Sequence, residues 1–130
     1  MTDGQDTAGD GPPGAAVLTV TVEPLADGCR LLPVGELDHD SAGPLREALD
    51  DALGGPAAMV AVDCSGLSFC DSTGLNLLLR ARLAAESAGR RVVLVDPSPM
   101  VARMLEITGA GEIFQVYATV AQAARGGSGG

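Results

Sequence analysis

Val and Leu alternate with Thr along "AVLTVTV" (16–22), the period-two pattern of a strand with one face exposed. Pro24 and the Asp27-Gly28 pair mark a turn, and "CRLLPVGEL" (29–37) resumes a strand, so the two should pair as an antiparallel hairpin. Pro33 fits inside that second strand only where no backbone N–H is needed, which argues against a regular ladder there. Leu45, Leu49 and Leu53 then recur every four residues in "AGPLREALDDAL" (42–53). That spacing predicts a helix, with Ser41 placed to cap it and Gly54-Gly55-Pro56 to end it.

The pattern changes at "AMVAVDCS" (58–65), an unbroken apolar run of strand length, as expected of a strand covered on both faces. A short loop leads to "TGLNLLLRARLAAESA" (73–88), where Leu75, Leu78, Leu79 and Leu83 predict an apolar stripe and Gly89 a stop. "RVVLVD" (91–96) is a second buried strand. Ser98 and Pro99 suit the cap and first position of a third helix that ends at Gly109. A short strand "IFQVY" and a last helix from about Thr119 complete the order β-β-α-β-α-β-α-β-α. Consecutive βαβ units imply parallel pairing with helices over the sheet, an α/β layered domain.

Composition narrows the function classes. The N-terminal residues 1–15 hold Gly, Asp, Pro and Thr with little to bury and are expected to be disordered. Residues 125–130, "RGGSGG", read as a flexible tail, which leaves one folded domain over 16–124. The formal charge of −9 argues against nucleic acid and against an anionic membrane surface. No apolar run reaches the ~20 residues of a membrane span, and no basic segment precedes a greasy one at the start, so the expected location is the cytoplasm. Cys29, Cys64 and Cys70 lack framework spacing, and one histidine leaves a zinc site short of ligands. No metal or cofactor is expected, the thiols should be reduced core residues, and a monomer is the default.

The candidate chemistry lies at "GLSFCDSTGLNLLLRARL" (66–83), where Ser72 stands between an acid and a Thr-Gly step at the start of a helix. In an α/β sheet, partners meet the loops beyond the carboxyl ends of the strands. Asp63, the 65–71 loop and "GELDHDS" (35–41) should emerge there, which brings Asp38, His39, Asp71, Ser72 and Thr73 to one rim. Ser72 could cap the helix, which is what a serine before a helix most often does. It could be a nucleophile with His39 as base and Asp38 behind it, although no G-x-S-x-G elbow is present. It could also be a hydroxyl that another protein modifies. Cys70 is a poor nucleophile because Asp71 beside it raises its pKa. Nucleotide binding lacks a phosphate-cradling loop, since neither a Walker A nor a G-x-G-x-x-G string occurs.

"GELDHDSAGPLREAL", "VDCSGLSFCDSTGLNLLL" and "PSPMVARMLEITGAGEIFQVYATVAQAA" resemble the three signature regions of the STAS domain, specifically the bacterial anti-sigma factor antagonists. The resemblance implies a mixed, mostly parallel sheet of four or five strands with about four helices. It implies that Ser72 is phosphorylated by a cognate anti-sigma factor, itself a GHKL-type serine kinase that binds the ATP and Mg, and that a PP2C-type phosphatase reverses the mark. The unphosphorylated chain would bind the kinase and free a sigma factor, and the phosphorylated chain would let go. Asp38 and His39 would flank the acceptor and touch the kinase, with Asp71 capping the helix and Thr73 a second hydroxyl. Gly74 and Leu75 would let the partner approach the helix start. Cys70 and Asn76 depart from the family pattern, which often has an apolar and a small residue there. STAS domains also serve as subunits of membrane transport systems, which is the alternative without a sigma-factor role.

Overall fold

The computed structural model describes residues 18–128, so the expected disorder of 1–15 and the last two residues lie outside the described part. The hairpin forms as the alternation predicts, from β1 (Leu18–Leu25) and β2 (Gly28–Leu37), paired antiparallel with Val20 opposite Pro33. Helix α1 (Gly43–Gly54) leads to β3 (Met59–Asp63), whose residues are all buried, and then to β4 (Leu67–Cys70). Helix α2 (Ser72–Ser87), strand β5 (Arg91–Val95) and helix α3 (Pro99–Thr108) follow. A 3-10 turn at Ala110–Glu112, strand β6 (Val116–Tyr117) and helix α4 (Val120–Ser128) close the chain.

The expected order omitted β4, which occupies what the sequence presented as loop. The sheet runs β1-β2-β3-β5-β6, and β4 pairs with β2 on the edge that β3 also uses. Gly28–Leu31 of β2 lie beside β3, and from Gly35 to Leu37 the same edge is taken by β4. Among the described residues, six strands therefore fill five lanes. Pro33 falls in the gap between the two partners, where a missing N–H costs no ladder bond with either of them. All pairings other than the hairpin are parallel.

Alternation along β3 divides the core. Val60 and Val62 face a large cluster with Leu45 and Leu49 of α1, Leu78 of α2 and Leu105 of α3. Met59 and Ala61 face a smaller one with Val93, Val95 and Ala123 of α4. The stripe of α2 differs from the expected one: Gly74, Leu75, Leu78, Ala81 and Ala85 are buried, while Leu83 is 58% exposed. Residues three and four apart share a helix face, so the series 74, 78, 81 and 85 packs on the sheet and Leu83, off that series, turns out.

Two ends also differ. Ser41 does not cap α1; the cap position is Ala42, without a side-chain bond, and the Ser41 hydroxyl is held by the preceding turn. Pro44 in the first turn lowers the need for a cap, because it brings no N–H. Helix α4 continues through Ser128, past the domain edge expected at 124. Ser98 and Gly109 act as expected, Ser98 accepting the Val101 N–H at 3.3 Å and Gly109 ending α3 at φ 79°.

Candidate functional site

Asp71, not Ser72, caps α2. Its backbone is extended (φ −97°, ψ −173°), and its Oδ1 accepts the N–H of Gly74 at 3.0 Å. Ser72 is thereby the first helical residue, and its hydroxyl is released from capping. It is exposed, and among the described residues it makes no hydrogen bond within the chain.

The turn after β2 comes to this helix start. Asp71 donates its N–H to the Leu37 carbonyl at 3.1 Å, and its Oδ2 accepts the N–H of His39 at 3.3 Å. The turn itself is tied by Asp38, whose Oδ1 accepts the N–H groups of Asp40 and Ser41, each at 3.0 Å, and contacts the Ser41 hydroxyl at 2.9 Å. The Ser41 hydroxyl is the main cause that holds the Asp38 carboxyl below its ordinary value, with the two N–H groups and His39 adding to it. Asp38 therefore stays ionised through the neutral range. The expected rim is assembled: Asp38, His39, Asp71 and Ser72 share one end of the sheet, with Thr73 half-buried beside them.

Two expected contact residues are buried. Gly74 is buried, and a Cβ there would lie 2.6 Å from Leu37 Cγ and 2.9 Å from Cys70 Sγ. Leu75 is buried in the core with them. The early helical glycine thus answers to close packing of α2 on β2 and β4, and Leu75 is buried beside it.

The nucleophile readings lack their geometry. No base bonds Ser72, and the His39 ring makes no hydrogen bond among the described residues. Cys70 is buried, and that burial, followed by the charge of Asp71, pushes its thiol up to about 11. Burial raises the Cys64 thiol further, and all three cysteines are free.

Asp63 was expected to emerge at the rim, but it turns to a partly buried ion pair. Arg30 bonds its Oδ2 from Nη2 at 2.6 Å and from Nε at 3.0 Å, and the Ser65 hydroxyl and N–H bond Oδ1 at 2.6 and 2.9 Å. Burial opposes its ionisation, yet Ser65 and Arg30 together hold the carboxyl below its usual value. The sequence also concealed two exposed apolar side chains: Val34 and Phe69 are 45% and 42% exposed, and Phe69 pairs across β4 and β2 with Glu36. One signal was available, a phenylalanine only three positions before Ser72 in a chain with two.

Two clefts of about 610 and 460 Å³ flank Asp27 in the β1–β2 turn, at the far end of β2 from Ser72. Among the described residues, no group of three His, Cys, Asp or Glu side chains could hold a metal ion. No helix there is long and apolar enough to cross a membrane.

A family model described as "Mlab, STAS domain" matches residues 24–117. The chain belongs to the STAS-domain family. Among curated relatives, an anti-sigma F factor antagonist of Lysinibacillus sphaericus is 32% identical over 78 residues, 59% of this chain and 67% of that protein. One of the same name from Paenibacillus polymyxa is 29% identical over 84 residues, 64% of this chain and 72% of that one. The solved anti-sigma factor antagonist SpoIIAA in its unphosphorylated form superposes with a TM-score of 0.72 at 26% identity, covering 85% of this chain and 97% of that one. Its phosphorylated form from Bacillus superposes at 0.62 and 25% identity, over 82% and 97% of the two chains. This STAS domain thus has the mixed, mostly parallel sheet and four helices that the signature regions implied.

Proposed function

We propose that this STAS domain is an anti-sigma factor antagonist switched by phosphorylation of Ser72. The observation that carries the reading is the Ser72 hydroxyl: exposed, unbonded and set at the first position of a capped helix. Relatives named anti-sigma F factor antagonist and the likeness to SpoIIAA in both phosphorylation states support it. The unphosphorylated chain binds an anti-sigma factor with GHKL-type serine kinase activity and so releases a sigma factor. A PP2C-type phosphatase resets the phosphorylated chain.

The chemistry belongs to the kinase. This chain supplies an acceptor oxygen and no base, which agrees with the lack of any hydrogen bond to that oxygen. A phosphate at Ser72 adds roughly −1.5 to −2 charge. The amino end of α2 tolerates an anion, so the fold should persist. Docking suffers instead, because the phosphate joins Asp38 and Asp71 within one rim and adds a charge that the interface must bury. The partner contacts are Asp38, His39, Ser72 and Thr73, with Asp71 holding the two loops together.

Incubation with the anti-sigma kinase, Mg and ATP, followed by intact mass and site mapping, tests this reading. A single phosphate on Ser72 is expected, and Ser72→Ala should remain unlabelled yet keep binding. Absence of label on Ser72 sinks the proposal. A transport-subunit role keeps the same fold but predicts no loss of kinase binding on phosphorylation.

A further inference from the structure

At the opposite end of the sheet from Ser72, several arginines lie near one another. A cavity of about 280 Å³ between α2, the start of β5 and the segment before β6 is lined by Arg82, Glu86, Arg90, Arg91 and Gln115. Three arginines and one glutamate line it, in a chain whose formal charge is −9.

Neutral groups hold two of the three. Arg91 bonds Gln115 Oε1 from Nε and from Nη2, each at 3.3 Å, the Ala123 carbonyl at 3.2 Å and the Tyr117 hydroxyl at 3.5 Å. Its Nη1 rests on Met59 Sδ at 3.4 Å. Arg90 spends Nη1 on the Leu53 carbonyl at 2.6 Å and keeps its other donors. Among the described residues, neither Arg90 nor Arg91 has a carboxylate within ion-pair distance. Of the three, Arg82 is paired, with Glu86 one turn on in α2 at 2.9 Å; the arginine is half-buried and the carboxylate exposed, and an exposed partner of this kind holds weakly. Gln115 turns its oxygen to Arg91, which leaves its amide NH₂ as a further donor.

We propose that this cavity binds a small dianion of the phosphate type, either the free ion or a phosphomonoester. Guanidinium forks match the paired oxygens of such a group, and they are weakly hydrated and already positioned, so little ordering opposes binding. The volume lies near the lower end of small-ligand sites, enough for a phosphate with a short substituent and too small for a polymer. The site is independent of Ser72 and of the partner switch.

The test is amide-resolved NMR titration of the full chain at fixed ionic strength, with inorganic phosphate in one arm, glycerol 3-phosphate in a second and chloride in a third. Saturable shifts at Arg90, Arg91 and Gln115 are expected in at least one phosphate arm and not with chloride. Tighter saturation by the ester assigns a phosphomonoester; equal or tighter saturation by phosphate assigns the free ion. Because Arg90 also secures Leu53, Arg82→Gln is the variant that spares the fold, and it should weaken binding roughly tenfold. Glu86→Gln should tighten it by removing the competing carboxylate. Linear, non-saturating drift in both phosphate arms, an equal response to chloride, or affinity unchanged in Arg82→Gln overturns the proposal.

Discussion

The backbone N–H of His39 donates to Oδ2 of Asp71 at 3.3 Å, so a residue in the turn after β2 is fastened to the cap of α2. The other oxygen of the same carboxylate serves Gly74 at 3.0 Å. One side chain therefore sets both the first residue of the helix and the position of the loop beside it. Ser72 stands clear because Asp71 does the capping.

Replacing that carboxylate should act on both. Asp71→Ala is expected to destabilise the chain by about 1–2 kcal/mol through the lost cap, read as the urea midpoint. Asp71→Asn should retain most of the stability. Amide exchange at His39 and Gly74 should quicken in the alanine variant, and protection at both sites equal to the parent would refute the shared role.

Gly74 admits no side chain. Helix propensity alone would favour Gly74→Ala by about 1 kcal/mol. The added Cβ would meet Leu37 Cγ at 2.6 Å, and overpacking of this kind typically destabilises by ~1–3 kcal/mol. A net loss of stability in urea is expected, with packing outweighing propensity. An increase in stability would show that α2 can lift from the sheet at no penalty.

The thiols should be inert in the folded chain. Burial places Cys70 at about 11 and raises Cys64 as well as Cys29. At pH 8, a thiol reagent should label none of them quickly in the native state and all three after unfolding. Rapid native labelling of Cys70 would establish an exposed, reactive thiol next to Ser72.

Acid should weaken the fold through Asp63 and Asp38, whose folded values lie below their unfolded ones. The unfolded state then binds more protons below about pH 5, so their stabilisation is complete above the unfolded value near 4 and is lost as pH falls through the folded values. Urea midpoints measured from pH 7 down to pH 3 should decline in that window. Asp63→Asn leaves Arg30 without its charged partner and should destabilise by roughly 1–3 kcal/mol at pH 7, with a shallower decline towards acid. Equal slopes in parent and variant would remove Asp63 from the account.

Ser72→Asp should separate fold from switch. At the first helical position an added carboxylate lies within the range that a helix amino end favours by about 0.3–1 kcal/mol, so thermal stability should hold or rise slightly. Affinity for the anti-sigma kinase should fall on the order of 10³-fold. Calorimetry and a binding titration on one preparation check both. Loss of folding would mean that the site was structural.

Much of this was readable from local pattern. Alternation in β1, the unbroken apolar run of β3, and the Ser98-Pro99 and Gly109 punctuation of α3 all act within a few residues of themselves. The Asp-Ser-Thr-Gly step marked the rim for the same reason. Strand β4 was not readable, because "LSFC" has no period of its own and becomes a strand only where β2 outruns β3 and leaves an edge to fill. The residues alone left both Asp71 and Ser72 open as cap; the resemblance put Asp71 there, and the structure holds it there with a bond from the Asp71 N–H to Leu37.

The amino-acid sequence by itself determined the strands and helices other than β4, and that a hydroxyl stands at a helix start, since periodicity and turn chemistry are properties of near neighbours. Only the tertiary structure decided which face of α2 is buried, that Gly74 serves packing, that Asp63 pairs with Arg30, and that Arg82, Arg90 and Arg91 share a cavity. Those outcomes depend on groups far apart in the chain competing for the same small volumes and donors, and no local pattern records who wins.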